Sequence, residues 1–389
     1  MNKLDNKLQK IFIDASPMSE VRLTGIPHFT AELVSALDKH KDNGMKFNIV
    51  LLIAFDKRKM IQRWNYENVQ IRSIPIPGRL LNLIWKYRLL PPIDIFFGKG
   101  TYLFPNYKNW PLYKSKSLTY IHDLGYIRYP QFVQPKNLKF LQNGMKIWTK
   151  RSDLILTGSE NAKMEISKLL KIRMNKIVRI YHGVEHETYC KKSIDEINAA
   201  KNKYNIKGEY IITIGSFEPR KNLIRLVEAY QQLPEKIRDT YSLCLVGGGG
   251  WLNEEIFAMI NEAQDRGYNI VRPNNYVEDD DLPALISGAV LLVHPALYEG
   301  FGLPPLQAMA CGTAVAVSNN TSLPEVVGDA GILFNELDSK DISVKINKVL
   351  SDKILRLRMI ESGISQAMKF SWNKSANQLL EHIYNKDES

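Results

Sequence analysis

The chain is poor in the residues that anchor several large classes of protein. It has three cysteines in 389 residues, Cys190, Cys244 and Cys311, and no Cys-x-x-Cys pair. That spacing argues against a disulfide framework and a cysteine-built metal site, and it fits a reduced, cytoplasmic setting. No apolar run approaches the roughly 20 residues that a membrane-spanning helix needs. The opening stretch, MNKLDNKLQKIFIDAS, is polar and turns apolar only as a short strand, so no secretory signal is expected. Zinc-finger, ribonucleoprotein and helix-turn-helix signatures are missing, which argues against nucleic acid as a partner. Neither short-period repeats nor low-complexity tracts interrupt the sequence.

What is present is a globular composition, 44% apolar and 24% charged. The length is large for one core and comfortable for two. The net charge of +11 is uneven: residues 1–183 carry 31 Lys and Arg against 13 Asp and Glu, whereas the remainder is acidic by 7. A basic first half suits an anionic small molecule or an anionic membrane surface. Within it, GRLLNLIWKYRLL interleaves Arg79, Lys86 and Arg88 with Leu, Ile and Trp85. That mix describes an interfacial helix, or equally a helix packed on its own domain with solvated cations.

Apolar runs of strand length alternate with helical periodicity in both halves. In the first, strands are expected at Lys10 to Asp14, Phe47 to Ala54, Leu118 to His122 and Asp153 to Thr157. Helices are expected over Pro27 to His40, Asn137 to Lys150 and Ser159 to Lys171. The second half repeats the alternation from Tyr210 to Val317 and is helical after Asp338. Such alternation predicts an α/β protein with parallel sheets covered on both faces. The polar segment between Gly183 and Gly208 lacks a strand and reads as an interdomain linker, dividing the chain into residues 1–190 and 191–370.

Four segments carry candidate chemistry. In VHPALYEGFGLPPLQAMACG, Val293 to Gly312, an apolar strand ends before Glu299, Gly300-Phe301-Gly302 makes a turn, and a helix opens at Leu303 with Pro304 and Pro305 in its first turn. Exposed amides and the positive dipole end at such a terminus attract phosphate. Gln307 stands eight residues beyond Glu299, so the two side chains flank one site. In Ile214 to Asn222, Arg220 and Lys221 lie where a parallel strand ends and a helix begins, with Asn222 as the expected N-cap. Cations are disfavoured at that end of a helix unless an anion joins them, and two can offset a diphosphate without a metal. His122 closes a strand in IHDLGYIRYP, with Asp123 placed to orient it or its loop. Gly25 lies in LTGIPHFT, a loop opening the first helix, with one glycine where a dinucleotide fingerprint has three.

EGFGLPPLQAMACG resembles the signature of the retaining glycosyltransferases of family 4, usually EGFGLPxLEAMACG. The other segments resemble the same family's GxxEPRKN, VHDLxxxRYP and TGIGRYT, and further matches at 157–160, 181–184, 245–251 and 276–282 follow the family's order from about residue 10 to 385. The resemblance implies the GT-B architecture, two Rossmann-like doubly wound domains facing a central cleft, with a last helix from Ser371 crossing back onto the first domain. It implies that Glu299 contacts the donor sugar, with His122 beside the anomeric carbon, and that Phe301 and Gln307 serve the sugar and ribose. Arg220, Lys221, Gly25, Gly302 and Leu303 would hold the diphosphate. No cofactor or metal is implied.

Two departures stand out: Gln307 replaces the second Glu and cannot give a charged hydrogen bond to a ribose, and Pro27-His28 replaces Gly-Arg. The expected reaction is hexosyl transfer from a nucleotide-diphosphate sugar, GDP-mannose first and dTDP-rhamnose or UDP-hexose next. The expected acceptor is a glycan, lipid-linked at the inner face of a bacterial membrane, as in O-antigen, capsule or lipopolysaccharide assembly. A nucleotide-sugar-binding protein without turnover is the alternative of another class. A sugar-nucleotide epimerase is a further one, disfavoured by the residues around Glu299.

Overall fold

The computed structural model describes residues 9–20, 25–40, 47–86, 90–273 and 276–384. Seven strands form the first sheet: β1 (Gln9–Asp14), β2 (Phe47–Ala54), β3 (Val69–Ile74), β4 (Thr101–Phe104), β5 (Lys116–Tyr120), β6 (Leu154–Thr157) and β7 (Ile177–Arg179). Six form the second: β8 (Glu209–Ile214), β9 (Tyr241–Val246), β10 (Ile270–Val271), β11 (Leu291–His294), β12 (Ala314–Ser318) and β13 (Ile332–Phe334). Every pairing is parallel, in the orders β3-β2-β1-β4-β5-β6-β7 and β10-β9-β8-β11-β12-β13. The expected α/β, doubly wound, two-sheet architecture is the one observed.

In each sheet the strand order reverses direction between two central neighbours, β1 and β4 in one, β8 and β11 in the other. Loops leaving the carboxyl ends of such neighbours diverge to opposite faces and open a crevice, where open α/β sheets bind ligands. The central strands are buried on both sides, as helices over both faces require: Tyr241–Val246 and Leu291–His294 are buried throughout.

Several elements differ from expectation. β3, β4, β7, β10 and β13 were not anticipated; four of them have only two to four residues, too few to show a period. The segment expected to be linker contains the helix Ile194–Lys203, started by a Ser193–Glu196 capping box. Ala200, Tyr204 and Ile206 bury its apolar side in the core of the second sheet. Asn222 precedes the helix Leu223–Gln231 but is not a side-chain cap. It is left-handed at φ 58°, and its amide donates instead to the carbonyls of Pro295 and Glu336.

The last helix, Trp372–Tyr384, does cross back. Trp372, Ala376, Leu379, Leu380 and Ile383 belong to the same buried cluster as β1, β2 and the helix Ile26–Asp38. Gly183 permits the crossing, since a Cβ there would lie 2.1 Å from the Trp372 amide nitrogen. No helix among the described residues is long and apolar enough to cross a membrane.

Candidate active site

The crevice of the second sheet holds the candidate charges. β8 ends at Ile214, and the chain continues through Gly215 into a tight turn, Pro219–Lys221. β11 ends at His294, and five residues later the chain reaches Glu299. Because β8 and β11 are adjacent, Arg220, Lys221 and Glu299 converge. Lys221 Nζ lies 2.5 Å from Glu299 Oε1. Arg220 Nη1 donates to the Tyr298 carbonyl at 2.8 Å and approaches Glu299 Oε2 at 3.3 Å, while its Nη2 donates to Glu218.

Burial alone would raise the Glu299 pKa. The charges of Lys221 and Arg220, with a hydrogen bond from His294, hold it well below the ordinary carboxylate range instead. Burial likewise opposes the charge on Arg220, but Glu299 and Glu218 outweigh it and raise its pKa. His294 is kept neutral by burial. Its Nε2 lies 3.0 Å from the Glu299 carboxylate, which can only accept, so the proton sits on Nε2. His294 is a site residue that the sequence did not disclose, because it reads as the end of an apolar strand.

The turn and helix that follow Glu299 lie beside this cluster. Gly302, at φ 115°, precedes the helix Leu303–Ala310, with Pro304 and Pro305 in its first turn. Gln307 lies on the second turn and is buried. The ring of Phe301 packs on His182 at 4.7 Å and on Phe370 at 5.8 Å.

His122 arrives from the other domain, beyond the end of β5. Its Nε2 lies 2.8 Å from the Pro105 carbonyl after β4, so Nε2 carries the proton and donates. Burial lowers its pKa to about 4, against that hydrogen bond, leaving a neutral ring whose Nδ1 lone pair can accept from a hydroxyl. Asp123 orients the loop, its Oδ1 accepting from Gly125 N at 2.9 Å. Gly25 precedes the helix Ile26–Asp38 at φ 59°, and Phe29 in that helix packs edge-on to His122 at 4.9 Å. Leu23 and Thr24 of the same loop lie outside the described residues.

The two crevices face and touch. A Cβ on Gly300 would lie 2.3 Å from the His122 carbonyl oxygen, and Ser159 Oγ donates to the Gly300 carbonyl. Tyr298 OH donates to Glu165 at 2.6 Å and accepts from Leu124 N. The Glu325 carboxylate accepts from the amides of Glu160 and Asn161 and from Tyr181 OH. Sequence reasoning missed Tyr298, Glu165 and Glu325, whose partners lie 130 or more positions away.

Residues 195–366 match the family described as Glycosyl transferases group 1. The chain is 32% identical to the O-antigen chain mannosyltransferase B of Escherichia coli over 95% of its own length and 98% of that protein. It is 28% identical to the O-antigen chain mannosyltransferase RfbU of Salmonella typhimurium, over 72% of this chain and 74% of that one. In fold it is similar to Anabaena HepE, solved in complex with UDP and glucose, with a TM-score of 0.72 at 15% identity over 97% of this chain and all of that one. The chain therefore belongs to the group 1, family 4 glycosyltransferases of GT-B fold.

Proposed function

We propose that the chain transfers mannose, with retention, from GDP-mannose to a lipid-linked glycan in bacterial O-antigen, capsule or lipopolysaccharide assembly. The carrying observation is the Glu299 carboxylate gripped by Lys221 and Arg220 beside the N-terminus of the helix Leu303–Ala310, with the His122 backbone against Gly300 from the other domain. Two relatives that are O-antigen mannosyltransferases support the choice of sugar and pathway. Residues 1–190 with 371–389 form the acceptor side in this reading, and residues 191–370 the donor side.

In the transfer, the bond from the sugar's anomeric carbon to the diphosphate breaks and the acceptor oxygen bonds to that carbon on the same face. The acceptor's proton passes to the departing phosphate oxygen, so neither a protein base nor a metal is needed for this step. Arg220, Lys221, Gly25 and the amides at Gly302 and Leu303 balance the leaving diphosphate. Glu299 and the Nδ1 of His122 orient sugar hydroxyls, and Gln307 faces the ribose. Incubation with GDP-mannose, dTDP-rhamnose and UDP-hexoses plus a prenyl-diphosphate glycan tests the reading. Acceptor-dependent release of GDP is expected; release from another donor replaces the sugar assignment, and nucleotide binding without release favours a binding protein. Gln307→Glu is expected to tighten nucleotide binding, measured by calorimetry, and unchanged affinity would remove that residue from the ribose.

The acceptor side also carries a surface suited to an anionic membrane. Leu80 and Leu83, on the helix Gly78–Lys86, are exposed, as are Ile95, Phe96 and Tyr113, around a cluster holding Leu81, Ile93 and Trp110. Arg79 is exposed there too; Arg88 lies outside the described residues, and only the backbone of Trp85 and Lys86 is described. Aromatic and aliphatic side chains rimmed by cations fit a lipid headgroup boundary. Flotation with anionic liposomes at low salt is expected, and recovery only in the soluble fraction would remove the membrane from the reading.

A further inference from the structure

Away from the charges around Glu299, three side chains converge without a role in transfer. His28 and Glu32 stand one turn apart on the helix Ile26–Asp38, and so share a face. Glu185 reaches them from the segment that follows β7 and leads toward the second domain. One donor atom from each lies within 4.8 Å of the other two. Bonds of about 2.1 Å to a tetrahedral metal put its donors about 3.4 Å apart, so side-chain movements of about an ångström close this set on an ion.

The local electrostatics ask for a cation. Two carboxylates meet here against a single imidazole, and no lysine or arginine among the described residues forms an ion pair with either. His28 Nε2 is buried and has no hydrogen-bond partner among the described residues, although it lies 3.4 Å from Glu185 Oε1. A ring nitrogen held only by that long contact with Glu185 would gain from a direct metal bond. The Trp372 indole N–H donates to Glu185, the outer support that fixes a ligating carboxylate.

We propose that His28, Glu32 and Glu185 bind one first-row divalent transition-metal ion, such as Zn²⁺, which ties the first helix of the acceptor domain to the interdomain segment. A mixed nitrogen and oxygen set selects such an ion over Ca²⁺ or Mg²⁺, which take oxygen. The ion is structural: the cations that oppose the diphosphate lie elsewhere, and no step of the transfer passes through it.

The test uses full-length protein stripped with EDTA, titrated with Zn²⁺ by calorimetry and with Co²⁺ by visible absorption. One saturable site is expected, with Co²⁺ bands from the nitrogen and oxygen ligands. His28→Ala and Glu32→Gln should each weaken Zn²⁺ binding by about tenfold or more, whereas Cys190→Ala should not. Melting in EDTA, with and without added Zn²⁺, separates lost binding from lost folding: Zn²⁺ should raise the wild-type midpoint and leave that of Glu32→Gln unmoved. No saturable binding, equal binding by His28→Ala, or loss of binding in Cys190→Ala would overturn the proposal. None of these outcomes depends on which sugar is transferred.

Discussion

A carboxylate buried as deeply as Glu299 is tolerated only with opposite charge beside it, because desolvating a lone charge costs several kcal/mol. Lys221 and Arg220 supply that charge, so the three residues form one unit. Glu299→Ala or Lys221→Ala should each reduce kcat/KM by on the order of a hundredfold, about 3 kcal/mol of transition-state stabilisation. Wild-type rates in either variant would contradict the assigned roles. His122 provides a pH signature. Its folded pKa of about 4 lies below the unfolded value near 6.5, so the unfolded chain binds the proton first as pH falls. Stability is then complete above about pH 6.5 and declines toward pH 4, by up to about 1.4 kcal/mol per pH unit from this group. His122→Asn should flatten that decline in urea melts between pH 6.5 and 4, and an equally steep decline would mean the ring is not buried neutral. Arg220, Lys221, Glu299 and His122 were legible because each stands at a strand end within a local motif. His294, Tyr298 and Glu325 were not, since their partners come together only through sheet order and domain contact.

Among the elements, the helix Leu303–Ala310 shows how local signals fix a boundary. Its prolines suit the first turn, and the glycine before it adopts a backbone that other residues resist. A Cβ on Gly302 would also meet Leu323 Cδ2 at 2.8 Å. Gly302→Ala is expected to destabilise the chain by about 1–3 kcal/mol and to weaken nucleotide binding, measured by thermal melting and calorimetry. A variant of unchanged stability would mean that the turn does not need its left-handed residue. The long apolar run Phe47–Ala54 was placed to the residue, and the amphipathic helix Ile26–Asp38 to within two. Strands as short as Ile270–Val271 owe their form to neighbours in the sheet and carry no period of their own. Asn222 misled for a related reason: its side chain is claimed by two distant carbonyls before it can cap a helix.

At the scale of the whole molecule, the described arrangement is a closed one. Gly300 sits against the His122 backbone, and Tyr298, Ser159 and Glu325 lock the facing edges. In the proposed reading a nucleotide sugar enters between those edges, which requires the domains to part. Gly300→Ala puts a methyl group into backbone, which no rotamer change can relieve, so this variant should rest in a more open state. A larger radius of gyration by solution scattering and a changed KM for the donor are expected; a radius equal to that of the wild type would show that the contact does not hold the domains together. That the sheets are parallel followed from alternating strand and helix patterns, whereas their strand orders did not. Nor did the contact between domains, because it joins loops and short helices more than 100 positions apart that carry no shared periodicity.

The helix Trp372–Tyr384 has a further consequence, for biogenesis. Its side chains complete the apolar interior of the domain built from the first 180 residues. A ribosome adding about 5–20 residues per second must therefore translate the whole second domain before the first can seal its interior. During that interval the leading domain exposes a greasy seat shaped for a tail not yet made, so chains stalled before Trp372 are the natural clients of chaperones and proteases.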